Sequence, residues 1–97
     1  MQTFRDVDPA ELRTPSSRPV ADPGKLARQI SRYGRSVAGM PPLIVYESTD
    51  GHLVIYDGVT RATRVAKLLP GQFVRVVIVG RYPGAAAGRP TIKETLP

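Results

Sequence analysis

Two apolar runs, Leu43-Ile44-Val45-Tyr46 and Leu53-Val54-Ile55-Tyr56, flank the segment Thr49-Asp50-Gly51-His52. Asp-Gly supplies the positive φ of a tight hairpin turn, so the two runs are predicted to be strands joined by that turn. The first run has no polar position. A strand apolar on both faces belongs inside a covered sheet, so helices or further chain must flank it. This one hairpin excludes an all-helical fold and sets the core of the molecule.

The elements around it follow from their punctuation. Thr3 to Val7 alternates weakly and reads as a short strand. Asp8 and Pro9 start a helical turn that ends near Leu12. Residues 14–23 carry three prolines and two serines, the composition of a loop. Asp22 caps a helix with Pro23 in its first position, and Gly34 stops it after Tyr33. Leu26, Ile30 and Tyr33 share one face of that helix, which is predicted to be the core face. Gly58 ends the return strand, Val59 to Leu69 reads as a second helix, and Pro70-Gly71 stops it. Phe73 to Val79 is the most strongly β segment. The chain is therefore predicted to be a mixed α/β (α+β) domain, with a small sheet and two main helices over residues 1–79. Residues 80–97, rich in Gly and Pro, read as an extended C-terminal tail. The predicted core comprises Leu26, Ile30, Ile44, Leu53, Ile55, Ala62, Ala66, Val76 and Ile78.

Composition narrows the chemistry. With 97 residues the chain is one small domain. It has no cysteine and one histidine, His52. Disulfides, thiolate metal sites and multi-histidine metal sites within one chain are excluded. No run of apolar residues is long enough to cross a membrane, and Met1-Gln2-Thr3-Phe4-Arg5-Asp6 has no apolar leader segment. A cytoplasmic protein is expected. The net charge is +6, and eleven of the fourteen cations are arginine. Residues 25–46 hold Lys25, Arg28, Arg32 and Arg35 with no acid, and residues 58–82 hold five cations with no acid. Arginine suits bidentate contacts to phosphate and carboxylate, so the expected partner is anionic: a nucleotide, a nucleic acid or an acidic protein. Lys25, Arg28, Arg32 and Arg35 fall opposite the apolar face of their helix, either as a solvated face or as a phosphate-facing ridge.

Tyr56-Asp57-Gly58-Val59-Thr60-Arg61-Ala62-Thr63-Arg64 is the most informative stretch for function. A strand ends, a glycine turns the chain, and a helix begins at once. The first helical amides lack intrahelical acceptors and the helix dipole adds positive character. Gly58 allows close approach to the backbone, Thr60 offers a hydroxyl, and Arg61 reaches back from the first turn. Together with Val59 they read as a phosphate cradle, with Arg64 a second-choice contact. Asp57 can act as a base or hold Mg²⁺; it can equally cap the helix, with Arg61 as a surface residue. Asp50 serves the hairpin turn. Glu47 can join Asp57 if neighbouring strands bring them together. Tyr33, Tyr46, Tyr56 and Tyr82 can stack on bases, though Tyr33 reads as core and Tyr46 and Tyr56 as cross-strand packing.

The order of these segments resembles a known family. Asp22 to Gly34 is similar to the D-x-x-x-L-x-x-x-I-x-x-x-G helix of ParB N-terminal domains. Met40-Pro41-Pro42-Leu43-Ile44-Val45 resembles the Q-P-I-x-V strand that follows there. Leu53 to Ala62 is similar to the strand and G-x-x-R box, which reads G-E-R-R in partitioning proteins and G-C-H-R in sulfiredoxins. The resemblance spans about residues 3–79. It implies a bacterial protein with the ParB/sulfiredoxin fold and a nucleotide phosphate at the G-x-x-R turn, with Gly58 as the glycine and Arg61 as the phosphate arginine. Relatives use that site for CTP, for ATP-dependent sulfinate repair, for kinase chemistry or, by annotation, as a nuclease. Val59 stands where sulfiredoxins have cysteine, so sulfinate repair is not expected. Val59-Thr60 also replaces the Glu-Arg of partitioning proteins, and their helix-turn-helix domain does not follow.

Three functions fit the sequence. One is a module that binds a nucleotide or nucleic acid. Another is a phosphoryl-transfer enzyme, a nuclease or nucleotide hydrolase, toxin-type effectors among them. No cofactor is fixed by the sequence; a nucleoside triphosphate with Mg²⁺ is the candidate. The last is an accessory domain with a protein partner.

Overall fold

The computed structural model describes residues 2–97. The elements are β1 (Thr3–Val7), a 3-10 turn (Pro9–Glu11), α1 (Pro23–Tyr33), β2 (Leu43–Glu47), β3 (Leu53–Asp57), α2 (Val59–Leu68), β4 (Val74–Arg81) and a second 3-10 turn (Lys93–Thr95). The mixed α+β class read from the sequence is what the chain adopts: one four-stranded mixed sheet and two helices.

The local signals act as expected. Asp8 accepts from the Ala10 amide and Asp22 from the Lys25 amide, and each is followed by proline in the first helical position. Gly34 ends α1 with φ at 54°. Gly51, with φ at 83°, turns β2 into its antiparallel partner β3.

The sheet order is β1-β4-β2-β3. After the hairpin, α2 carries the chain across the sheet, so that β4 lies parallel to β2 and antiparallel to β1. Inward-facing side chains of the sheet, among them Leu43, Val45, Leu53, Ile55, Val74 and Val76, form one buried cluster with Val59, Ala62, Val65 and Ala66 of α2. No side chain of α1 belongs to that cluster. α1 packs on α2 instead, with Leu26 buried, Ile30 half-buried and Tyr33 exposed. The expected core face of α1 is thus corrected, because a helix on the outer layer buries a narrower stripe than one lying on the sheet. Ile44 and Ile78 are also half-buried rather than buried. Ile44 sits at the end of the sheet, where it lines both the cleft beside α1 and the hollow on the open face.

The segment 80–97 is not an extended tail. β4 continues through Gly80 to Arg81. Beyond it, Ala86 and Ile92 are fully buried. The Arg13 amide donates to Leu53 and the Arg13 carbonyl accepts from Ile55, which closes the free edge of β3. The Thr14 amide donates to Pro90, and the Ile92 amide to Leu12. The C-terminal segment therefore covers the strip of chain that covers β3. Thr91 and Glu94 form a reciprocal capping box that starts the last turn. Among the described residues no helix is long and apolar enough to cross a membrane.

Candidate functional site

β3 delivers Asp57 and Gly58 to the start of α2. Gly58 is the N-cap, with φ at 119°, and no side chain caps the helix. The Ala62 amide makes the first bond back to Gly58, at 2.8 Å. The amides of Val59, Thr60 and Arg61 precede it and have no intrahelical acceptor. Gly58 has a steric reason as well as a conformational one: a Cβ there would lie 2.6 Å from Leu43 Cδ2.

Asp57 does not cap α2. Its exposed carboxylate instead accepts from Arg61 Nη2 at 3.4 Å, and Arg61 Nη1 donates to the Pro41 carbonyl at 3.0 Å. Helical spacing explains the pair, since residues four apart share a face. Arg61 forms one wall of a cleft of about 390 Å³ whose other walls are Gln29 and Tyr33 of α1, the 36–42 loop and Arg64.

Arg64 holds that wall together. It is 1% exposed, and its Nη1 donates to the Gly34 and Ser36 carbonyls, both at 2.8 Å. Its guanidinium lies 5.4 Å from the centre of the Tyr33 ring. Burial lowers its pKa, with the nearby Tyr33 opposing the shift. The second-choice phosphate contact of the sequence reading is therefore a clamp between α2 and the loop after α1. Tyr33 is exposed and serves as the plate on which Arg64 and Arg32 lie.

A second groove, of about 300 Å³, runs alongside. It is lined by Lys25, Arg28 and Arg32 of α1 with Thr60 of α2, and shares Gln29 and Tyr33 with the cleft. The sequence treats the α1 cations and the start of α2 as two separate features. Helix packing brings most of them to one side of the molecule. Lys25, Arg28 and Arg32 make no ion pair among the described residues. Arg35 lies beyond α1 and lines neither depression. Gly58 and Val59 open toward a third depression, beside Arg18 and Tyr56.

Glu47 does not join Asp57. In the β2–β3 register Glu47 faces Leu53 and Asp57 faces Ile44, so the two carboxylates lie at opposite ends of the hairpin. Glu47 pairs with Arg5 at 3.9 Å. Among the described residues no three His, Asp or Glu side chains gather as a metal site. The residues present therefore do not make a Mg²⁺ site of their own; Asp57 alone faces the cleft, and Arg61 already engages it.

Asp50 does more than shape its turn. It accepts from the Ser48 hydroxyl and from the amides of Ala86 and Ala87, both at 3.0 Å. The Ser48 bond first, and then the two amides, hold its carboxyl well below the usual range. His52 lies 4.0 Å from it. The signal for this staple was weak, because its partners are backbone amides some 36 residues away.

A scan against models of known protein families finds no match to the chain, and a search of curated proteins finds none either.

Proposed function

We propose that the protein is a small binding module for a phosphate-bearing ligand, a nucleotide or nucleic acid, taken up where the α1 cations meet the start of α2. One observation carries the reading: Lys25, Arg28 and Arg32, none of them ion-paired, line one groove with Thr60 at the uncapped end of α2. Anions favour such a helix end, and unpaired arginines add direct phosphate contacts. Arg61 stands one turn into the same helix, where exchanging Asp57 for a phosphate costs little, since exposed ion pairs are weak. The resemblance to ParB N-terminal domains points to the same turn, with Gly58 and Arg61 in the G-x-x-R positions. The lone carboxylate at the cleft favours binding over hydrolysis.

The reading is tested by titrating a labelled nucleoside triphosphate and a labelled oligonucleotide at several salt concentrations. For the oligonucleotide, affinity falls steeply with salt, and replacing Arg28 and Arg32 by Ala flattens the logarithmic slope by roughly 1.4–1.8, about 0.7–0.9 per lost phosphate contact. Binding of neither probe at low salt, or binding indifferent to both arginines, overturns it.

A further inference from the structure

The sheet has a second face, which the chain covers only in part: Val54 is 1% exposed and Val77 8%, while Phe4 and Tyr56 stand in the open. Strand alternation turns Phe4, Ile44, Tyr46, Val54, Tyr56 and Val77 away from α2, and none of them belongs to the cluster beneath it. Phe4, Val77 and Ile44 are register neighbours across three strands. Phe4 is 53% exposed and Tyr56 65%. At the β3 end this face becomes aromatic. Tyr56 stands edge-on to Tyr46, with ring centres 5.5 Å apart and planes at 83°. The Tyr46 ring lies close against Gly80, where a Cβ would sit 3.2 Å from Tyr46 Cε1. A glycine in β4 thus gives the ring room to lie close to the strand. Tyr82 lines the same hollow with Tyr46, Tyr56 and Arg81. On its other side Tyr56 borders a second hollow, where Arg18 and Ile44 lie.

Charge identifies the occupant. Asp6 is paired with Arg75, Glu47 with Arg5 and Asp57 with Arg61. Arg18 and Arg81 have no side-chain partner among the described residues; Arg81 lines the Tyr82 hollow with no acid beside it, and Arg18 shares its hollow with Asp57, which Arg61 pairs. A second copy of the chain would bring another +6 against this one. Its sheet would also have to pack over a ring that stands up between two hollows. Flat, anionic, unstacked groups suit the surface better: bases slot beside the tyrosine rings while phosphates meet the arginines. We infer that the outer sheet face, at Tyr46, Tyr56 and Tyr82 with Arg18 and Arg81, binds unpaired bases of a single-stranded nucleic acid. The hollow of Tyr46, Tyr56 and Tyr82 shares no lining residue with the α1–α2 groove, whereas the Arg18 hollow reaches Gly58 and Val59 at the start of α2.

The test uses the whole chain and a short fluorescent oligothymidylate at low salt, read by anisotropy. Tyr56→Ala and Tyr82→Ala each weaken binding by about 5- to 150-fold, the effect of losing one stacked base, while Tyr56→Phe binds as the wild type does. Affinity for a duplex is unchanged by Tyr56→Ala. The loss on Tyr56→Ala recurs when Lys25, Arg28 and Arg32 are all replaced by Ala, which separates this face from the groove. Should Tyr56→Ala fail to fold, Arg81→Glu on its exposed side chain must lower oligothymidylate affinity. Absence of binding by the wild type, a folded Tyr56→Ala that binds normally, or an Arg81→Glu variant of unchanged affinity overturns the assignment. So does a wild-type dimer in sedimentation that Tyr56→Ala dissociates, because the face would then be a contact between copies.

Discussion

One aspartate lies in the turn before β3 and another is its last residue, and the chain uses them in opposite ways. At the hairpin end, Asp50 accepts from one hydroxyl and two amides and ties the turn to the C-terminal segment. At the helix end, Asp57 has only Arg61, at 3.4 Å, and remains largely exposed. A carboxylate with several fixed donors is part of the framework. A carboxylate held by one long contact beside uncapped amides can give way to an anion, while Arg61 stays anchored on the Pro41 carbonyl. Both positions are aspartate beside glycine, so their partners and not their residue type set them apart.

The largest expected effect tests whether the backbone at the helix end is as exacting as the hairpin end. Gly58→Ala must place a Cβ 2.6 Å from Leu43 Cδ2 at φ 119°. It is expected to cost about 2–4 kcal/mol, combining backbone strain with a forced shift in the core. Urea denaturation measures it, and a loss below the cost of an ordinary surface change would show that the turn adapts. Next comes the clamp. Arg64→Met keeps the volume but leaves the Gly34 and Ser36 carbonyls without their donor. A loss of about 1–3 kcal/mol is expected, with faster amide exchange in the 34–40 loop.

Asp50 sharpens the comparison through pH. Its pKa is depressed in the folded chain and returns to about 3.8 on unfolding. Its contribution is thus complete above the unfolded value and is lost as pH falls through that value toward the folded one. Asp50→Ala should lower the melting temperature at neutral pH, and its difference from wild type should shrink steadily below about pH 4. A difference that stays constant in acid would remove Asp50 from the framework.

Much of the fold was legible because short-range chemistry dictates it. Asp22-Pro23, Asp50-Gly51 and Gly58 each mark a boundary through backbone geometry that no distant contact alters. The parallel pairing of β2 with β4 was not legible, since it depends on where α2 carries the chain. The C-terminal segment reads as a tail because Gly and Pro make up a third of it. Two signals there pointed the other way: Ile92, a buried aliphatic in a polar stretch, and the Thr91-x-x-Glu94 capping box. At the site, Gly58 and Arg61 could be picked out by their place after a strand. The burial of Arg64 could not, because its partners are carbonyls about thirty residues away. Nor could the convergence of α1 cations with Thr60, which is a product of helix packing.

The most direct measurement pairs stability with affinity for Arg61→Ala, using chemical denaturation and titration of a labelled nucleotide on the same preparation. The Asp57–Arg61 pair is exposed on the aspartate side, so the account predicts a stability change within about 1 kcal/mol. Nucleotide affinity should fall at least tenfold, the loss of one charge-assisted phosphate contact. A variant that is clearly destabilised yet binds nucleotide as well as the wild type would make Arg61 part of the framework, as Asp50 is, and would contradict the distinction between the two ends.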